Sequence, residues 1–167
     1  SRSGRKYTLN NPLLQSDVAL LIPRLTYTMP PKLTAATGFD ALSHALETIW
    51  NKNSTPVSTE AATGAAIHIL RWLEKACESS GNGNKEGRDE MLLGACKAGI
   101  AFNLTGTAAV HALSFILSEE WHVPHGIACA FTLEDILDYN CADTATKTRL
   151  AHMARSMFGD GGSEDEL

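Results

Sequence analysis

No stretch of this sequence is both long and apolar enough to cross a bilayer: runs such as Val18–Pro23 fall far short of the ~20 residues a spanning helix needs. Basic residues are in deficit, with 14 Lys and Arg against 19 Asp and Glu. They form no stripe, which argues against nucleic acid as a partner. Aromatic residues are scarce, at 7%. The four cysteines, Cys77, Cys96, Cys129 and Cys141, include no Cys-x-x-Cys pair. They read as reduced core thiols and suggest a reducing, cytoplasmic setting. In that setting the glycosylation-like triplets at Asn53 and Asn103 are accidental. Ser1–Lys6 is polar and basic without a following apolar core, so it does not read as a secretory signal. The sequence also lacks a Gly-x-Gly-x-x-Gly or Walker-type loop, and the strand–helix alternation that a nucleotide-binding sheet requires.

What is present is helical. The 167 residues are 44% hydrophobic and 20% charged, a balance that supports a core without disulfides. Residues 1–16 form an irregular lead-in, 17–158 a helical domain and 159–167 an acidic tail. Asp17–Pro23 reads as a buried strand or extended linker. Pro30-Pro31 marks a helix start, since proline is tolerated in a first turn, and the pattern stays helical from about Lys32 to Trp50. Asn51–Pro56 is a turn. Further helices are expected over about Val57–Glu78, Asp89–Asn103 and Thr107–Ser118, then after Gly126, and over about Asp143–Phe158. Ser79–Gly87 is a loop, Asp143 an N-cap, and Gly159, Gly161 and Gly162 end the last helix. The fold class is all-α with a short N-terminal extended segment.

The chemistry gathers around Asp40 and His44. Residues four apart share one helix face, so a carboxylate and an imidazole at this spacing can converge on one cation. The spacing by itself also fits a solvated pair. Their neighbours are Ala36, Gly38, Phe39, Ala41, Leu42, Ala45 and Leu46, which is not a solvated face. A charge buried there needs a partner or a metal. His111 and His125 also sit in apolar or glycine-containing surroundings, with thirteen residues between them. Taken singly, each fits a core histidine; together the four offer three nitrogens and a carboxylate oxygen. That set suits a divalent first-row ion and disfavours calcium or magnesium.

Leu33–Glu47 (LTAATGFDALSHALE) closely resembles the signature of the iron-containing (group III) alcohol dehydrogenases. Val110-His111-Ala112-Leu113, with Pro124-His125-Gly126 further on, resembles that family's second signature. The resemblance runs from about Asp17 to Phe158. It implies the helical domain of the dehydroquinate synthase-like, iron-type alcohol dehydrogenase fold, with Asp40, His44, His111 and His125 at the ligand positions. It also implies a divalent metal (Fe2+, with Zn2+ chemically competent) that acts as a Lewis acid on a small-molecule alcohol or aldehyde. A hydride passes to or from NAD or NADP held by a separate nucleotide-binding domain, which this chain does not resemble. The family's final helices are likewise not recognised after about Phe158.

Many family members carry a further histidine four residues after the position of His111; here it is Phe115. His122, three residues before His125, is the expected proton relay in its place. Trp50–Ala61 faintly resembles the branch that reduces phosphonoacetaldehyde. The rival readings are a glycerol- or dehydroquinate-type relative, and a non-catalytic helical metal-binding or interaction module. A face exposed by the absence of a nucleotide domain would favour a homo-oligomer.

Overall fold

The computed structural model describes residues 11–14, 16–78 and 85–159. Two 3-10 turns, Pro12–Leu14 and Pro23–Thr26, precede six helices: α1 Pro31–Trp50, α2 Pro56–Cys77, α3 Lys85–Phe102, α4 Ala109–Glu120, α5 His125–Cys141 and α6 Thr144–Phe158. The described residues contain no strand. The expected helices are all there, and α3 begins about one turn earlier than the sequence suggested. Residues 79–84 of the expected loop and the acidic tail beyond Gly159 lie outside the described residues.

Local chemistry sets the helix ends. Pro31 opens α1 from the extended Pro30. At α2 the Thr55 hydroxyl accepts from the Ser58 N–H while the Ser58 hydroxyl accepts from the Thr55 N–H, a reciprocal cap. The Asp143 carboxylate accepts from the Thr146 N–H at 2.8 Å and starts α6. Gly159, at φ 83°, ends it in a conformation that only glycine adopts cheaply.

Helix α1 is the centre of the domain and touches each of the other five. Its sequence explains this, because apolar and small residues go right round the helix rather than down one stripe. From Ala41 to Trp50 every residue except His44 is buried. Helices α2 and α3 pair on one side of α1, and α4 and α5 pair on another. The core joins Leu42, Ala45, Ile49 and Trp50 of α1 to Ile69 of α2, Val110 of α4, Cys129 and Leu133 of α5 and Leu150 of α6. The Arg149 guanidinium donates to the Ile49 carbonyl at 2.8 Å, tying α6 to the C-terminal end of α1.

Of the two readings of Asp17–Pro23, a buried strand or a linker, the structure shows the linker. Asp17–Ile22 is neither a strand nor buried: Val18 and Leu20 are 80% and 78% exposed. An apolar run forms a buried strand only with neighbours to pair and cover it, and no described element lies over this one. The chain is caught just afterwards. Arg88 of α3, itself buried, donates to the carbonyls of Thr26 and Met29, and the Tyr27 hydroxyl donates to Asp89.

Candidate metal centre

Three helices converge at one point. Asp40 comes from the middle of α1, His111 from the first turn of α4 and His125 from the first residue of α5. Asp40 Oδ1 lies 3.3 Å from His111 Nε2 and 3.5 Å from His125 Nε2. A fourth donor completes the group. Cys129, one turn after His125 on α5, places Sγ 3.9 Å from Asp40 Oδ1 and 4.0 Å from His125 Nε2. All four donor atoms fall within 4.8 Å of one another. A tetrahedral ion with bonds of ~2.0–2.3 Å separates its ligands by roughly 3.3–3.8 Å. The separations of Asp40 from the two histidines, 3.3 and 3.5 Å, lie in that range, and those of Cys129, 3.9 and 4.0 Å, are somewhat wider, so this donor set fits a cation after a small contraction.

A second observation supports the fit. His111 is buried, and its Nε2 meets the Asp40 carboxylate at 3.3 Å, an ion pair too poorly aligned to satisfy it well. A buried polar atom that is poorly satisfied is costly. This one is aimed at the point where the other donors meet.

His44, the fourth ligand expected from sequence, is beside the cluster rather than in it. Its ring is stacked between Phe102 and His111, with centroids 4.3 Å from each. Burial pushes its pKa down to about 4, assisted by the charge of His111 and opposed by Asp40 and Glu47. Burial also works against a charged His111, but hydrogen bonds to Asp40 and Glu47 outweigh it and raise that ring to about 9. At Asp40 burial favours the neutral acid, yet His111, His44 and His125 together hold the carboxyl below its usual range. The Cys129 thiol is pushed up to about 11, first by burial. In the metal-free chain the centre therefore holds an anionic Asp40 beside a cationic His111, and a cation would displace the His111 proton.

The surroundings orient the ligands. The buried Ser114 hydroxyl donates its one proton to the His111 carbonyl at 2.8 Å, which leaves its oxygen to accept from His125 Nδ1 at 3.3 Å. Phe115 lies flat against His125, with ring centroids 5.9 Å apart. His122 stands outside the group, exposed and left-handed at φ 56° in the loop before α5.

Residues 34–167 match the Fe-containing alcohol dehydrogenase family, C-terminal. The chain belongs to this family. It is 36% identical over 162 residues to long-chain-alcohol dehydrogenase 1 of Geobacillus thermodenitrificans, covering 97% of this chain and 40% of that protein. It is 40% identical over 139 residues to a probable alcohol dehydrogenase of Escherichia coli, covering 83% of this chain and 34% of that one. The structure of an iron-containing alcohol dehydrogenase from Thermococcus thioreducens superposes with a TM-score of 0.81 at 32% identity, over 89% of this chain and 38% of that one. The chain thus spans well under half the length of these relatives.

Sequence reasoning missed Cys129, Glu47 and Ser114 as parts of the centre. For Cys129 a signal was available: it follows His125 by four residues, the same separation that singled out Asp40 and His44. Glu47 and Ser114 carry no local signal, because their partners come together only when α1, α4 and α5 pack.

Proposed function

We propose that this domain supplies the metal half of an NAD(P)-dependent alcohol dehydrogenase or aldehyde reductase, holding a divalent cation, Fe2+ or Zn2+, on Asp40, His44, His111 and His125. The observation that carries this reading is the convergence of Asp40, His111 and His125 on one point from three helices, with the buried His111 Nε2 turned to the Asp40 carboxylate. His44 stands in ring contact with His111, one turn along α1 from Asp40. Such an ion, when bound, polarises a substrate oxygen. The chain's own part is to fix the donors, to keep water away with the Phe102, Phe115 and α1 side chains, and to leave the half-exposed side of His125 open to substrate. The nicotinamide cofactor and the small alcohol or aldehyde belong to the complete enzyme. Relatives named for alcohols, an NADPH-dependent butanol dehydrogenase and a sulfoacetaldehyde reductase bound to NAD+ support that assignment. For the proton of the substrate hydroxyl we retain His122 as the relay. An unchanged pH–rate profile for His122→Ala in the complete enzyme would remove it.

A second reading replaces His44 by Cys129, whose Sγ already lies among the donors. Calorimetric titration with Zn2+ separates the two. If His44 is a ligand, His44→Ala abolishes stoichiometric binding and Cys129→Ser retains it; the reverse pattern assigns the corner to Cys129. If Asp40→Ala binds zinc as well as the parent chain does, there is no metal centre here.

A further inference from the structure

Glu47 lies one turn after His44 on α1, and its side chain has no solvent exposure. A carboxylate in that position must be fully paired. Its oxygens accept from the Val110 N–H at 2.6 Å, the Ala108 N–H at 3.0 Å and His111 Nδ1 at 2.6 Å. Two of these donors open α4. That helix has no side-chain cap of its own, because Ala108 stands at its N-cap. Glu47 thus reaches across from α1 to serve orphan N–H groups at the end of a helix dipole that favours negative charge.

The third donor concerns the metal. A carboxylate can only accept, so the His111 nitrogen facing it at 2.6 Å must carry a proton. With a proton fixed on Nδ1, Nε2 is the nitrogen left to ligate, and it is the one turned towards Asp40. A ligating histidine that donates its other N–H to a carboxylate is held in both tautomer and ring orientation. We infer that Glu47 is the positioning residue of the centre: it sets the His111 tautomer and ring angle, and locks them to the start of α4. The inference rests on the metal-binding reading above.

Glu47→Gln tests it, because the glutamine amide has one acceptor atom and cannot serve both the Val110 N–H and the His111 Nδ1–H. Zinc affinity is measured by chelator competition on the full 167-residue chain, its Glu47→Gln and His111→Ala variants, and the double variant. The expected result is a loss of roughly 10–100-fold for Glu47→Gln in the parent background, and little further loss when His111 is already alanine. Equal losses in both backgrounds would make Glu47 a purely structural cap and overturn the inference. So would retained affinity in Glu47→Gln alone, which leaves the metal reading standing. A parent chain that binds no zinc overturns both. Should the variant fail to fold by circular dichroism, or His111→Ala bind too little zinc for the comparison, 15N spectra of the zinc-loaded parent chain decide the matter. A protonated Nδ1 with zinc on Nε2 of His111 supports the assignment, and zinc on Nδ1 refutes it.

Discussion

A single methyl group at Gly126 should damage the centre without touching any donor. Gly126 is buried at the second residue of α5, between His125 and the turn that carries Cys129, and it packs directly on the backbone of α1. A Cβ placed there would lie 1.7 Å from the Ala36 carbonyl oxygen and 2.5 Å from its carbon. Real Cβ atoms essentially never approach closer than 3.0 Å, so α5 and α1 must part by about 1.3 Å. The obstacle is helix backbone, which cannot rotate aside as a side chain can. Overpacking of this kind costs ~1–3 kcal/mol. In a domain of this size that lowers Tm by roughly 2–10 °C. The same shift carries His125 and Cys129 away from Asp40 on α1, and metal–ligand distances tolerate only about 0.2 Å. Zinc affinity of Gly126→Ala should therefore fall by at least ~10–100-fold, as it does when a site's supporting contacts are lost. Differential scanning calorimetry of the metal-free chain and zinc titration by chelator competition measure the two effects. A variant with parental Tm and parental affinity would show that α1 and α5 are not in backbone contact, and the geometry argued for the centre would fall with it.

Three other outcomes are expected. Gly64, exposed in the middle of α2, offers the opposite case, because a methyl group there would meet nothing within 4 Å. Gly64→Ala should raise stability by about 0.5–1 kcal/mol, seen as a higher urea midpoint, and a lower one would count against an open helix face at that position. The metal-free chain should be most stable near neutral pH. His44 is lowered to about 4 mainly by burial, so its contribution is complete above its ordinary value of 6.5 and is lost as pH falls through about 4. His111 is raised to about 9 because Asp40 and Glu47 outweigh its burial, so its contribution is complete below 6.5 and is lost as pH rises through about 9. A Tm that stays flat from pH 4 to 9 would contradict both placements. Asp143→Ala removes the cap of α6 and should cost ~1 kcal/mol, a Tm fall of roughly 2–4 °C; no change would mean that the Thr146 N–H is served by water instead.

The sequence by itself determined the helices, most of their ends and three of the converging donors. Proline, threonine and aspartate at helix starts, and glycine at a stop, act through the backbone within a few residues, so their effects are legible in order along the chain. The apolar neighbourhood of Asp40 and His44 likewise announced burial, since α1 carries small and apolar residues all round. Tertiary structure decided what those groups face. It set the His44 ring between Phe102 and His111 and brought Cys129 into the donor group. It left Val18 and Leu20 in solvent, because an apolar run is buried only when another element covers it. It also closed the bond from Glu47 to His111 across 64 positions of sequence. Helix periodicity can say that two side chains share a face, but which donor meets which acceptor depends on how α1, α4 and α5 pack, and that depends on contacts such as Gly126 on Ala36 that no local pattern encodes.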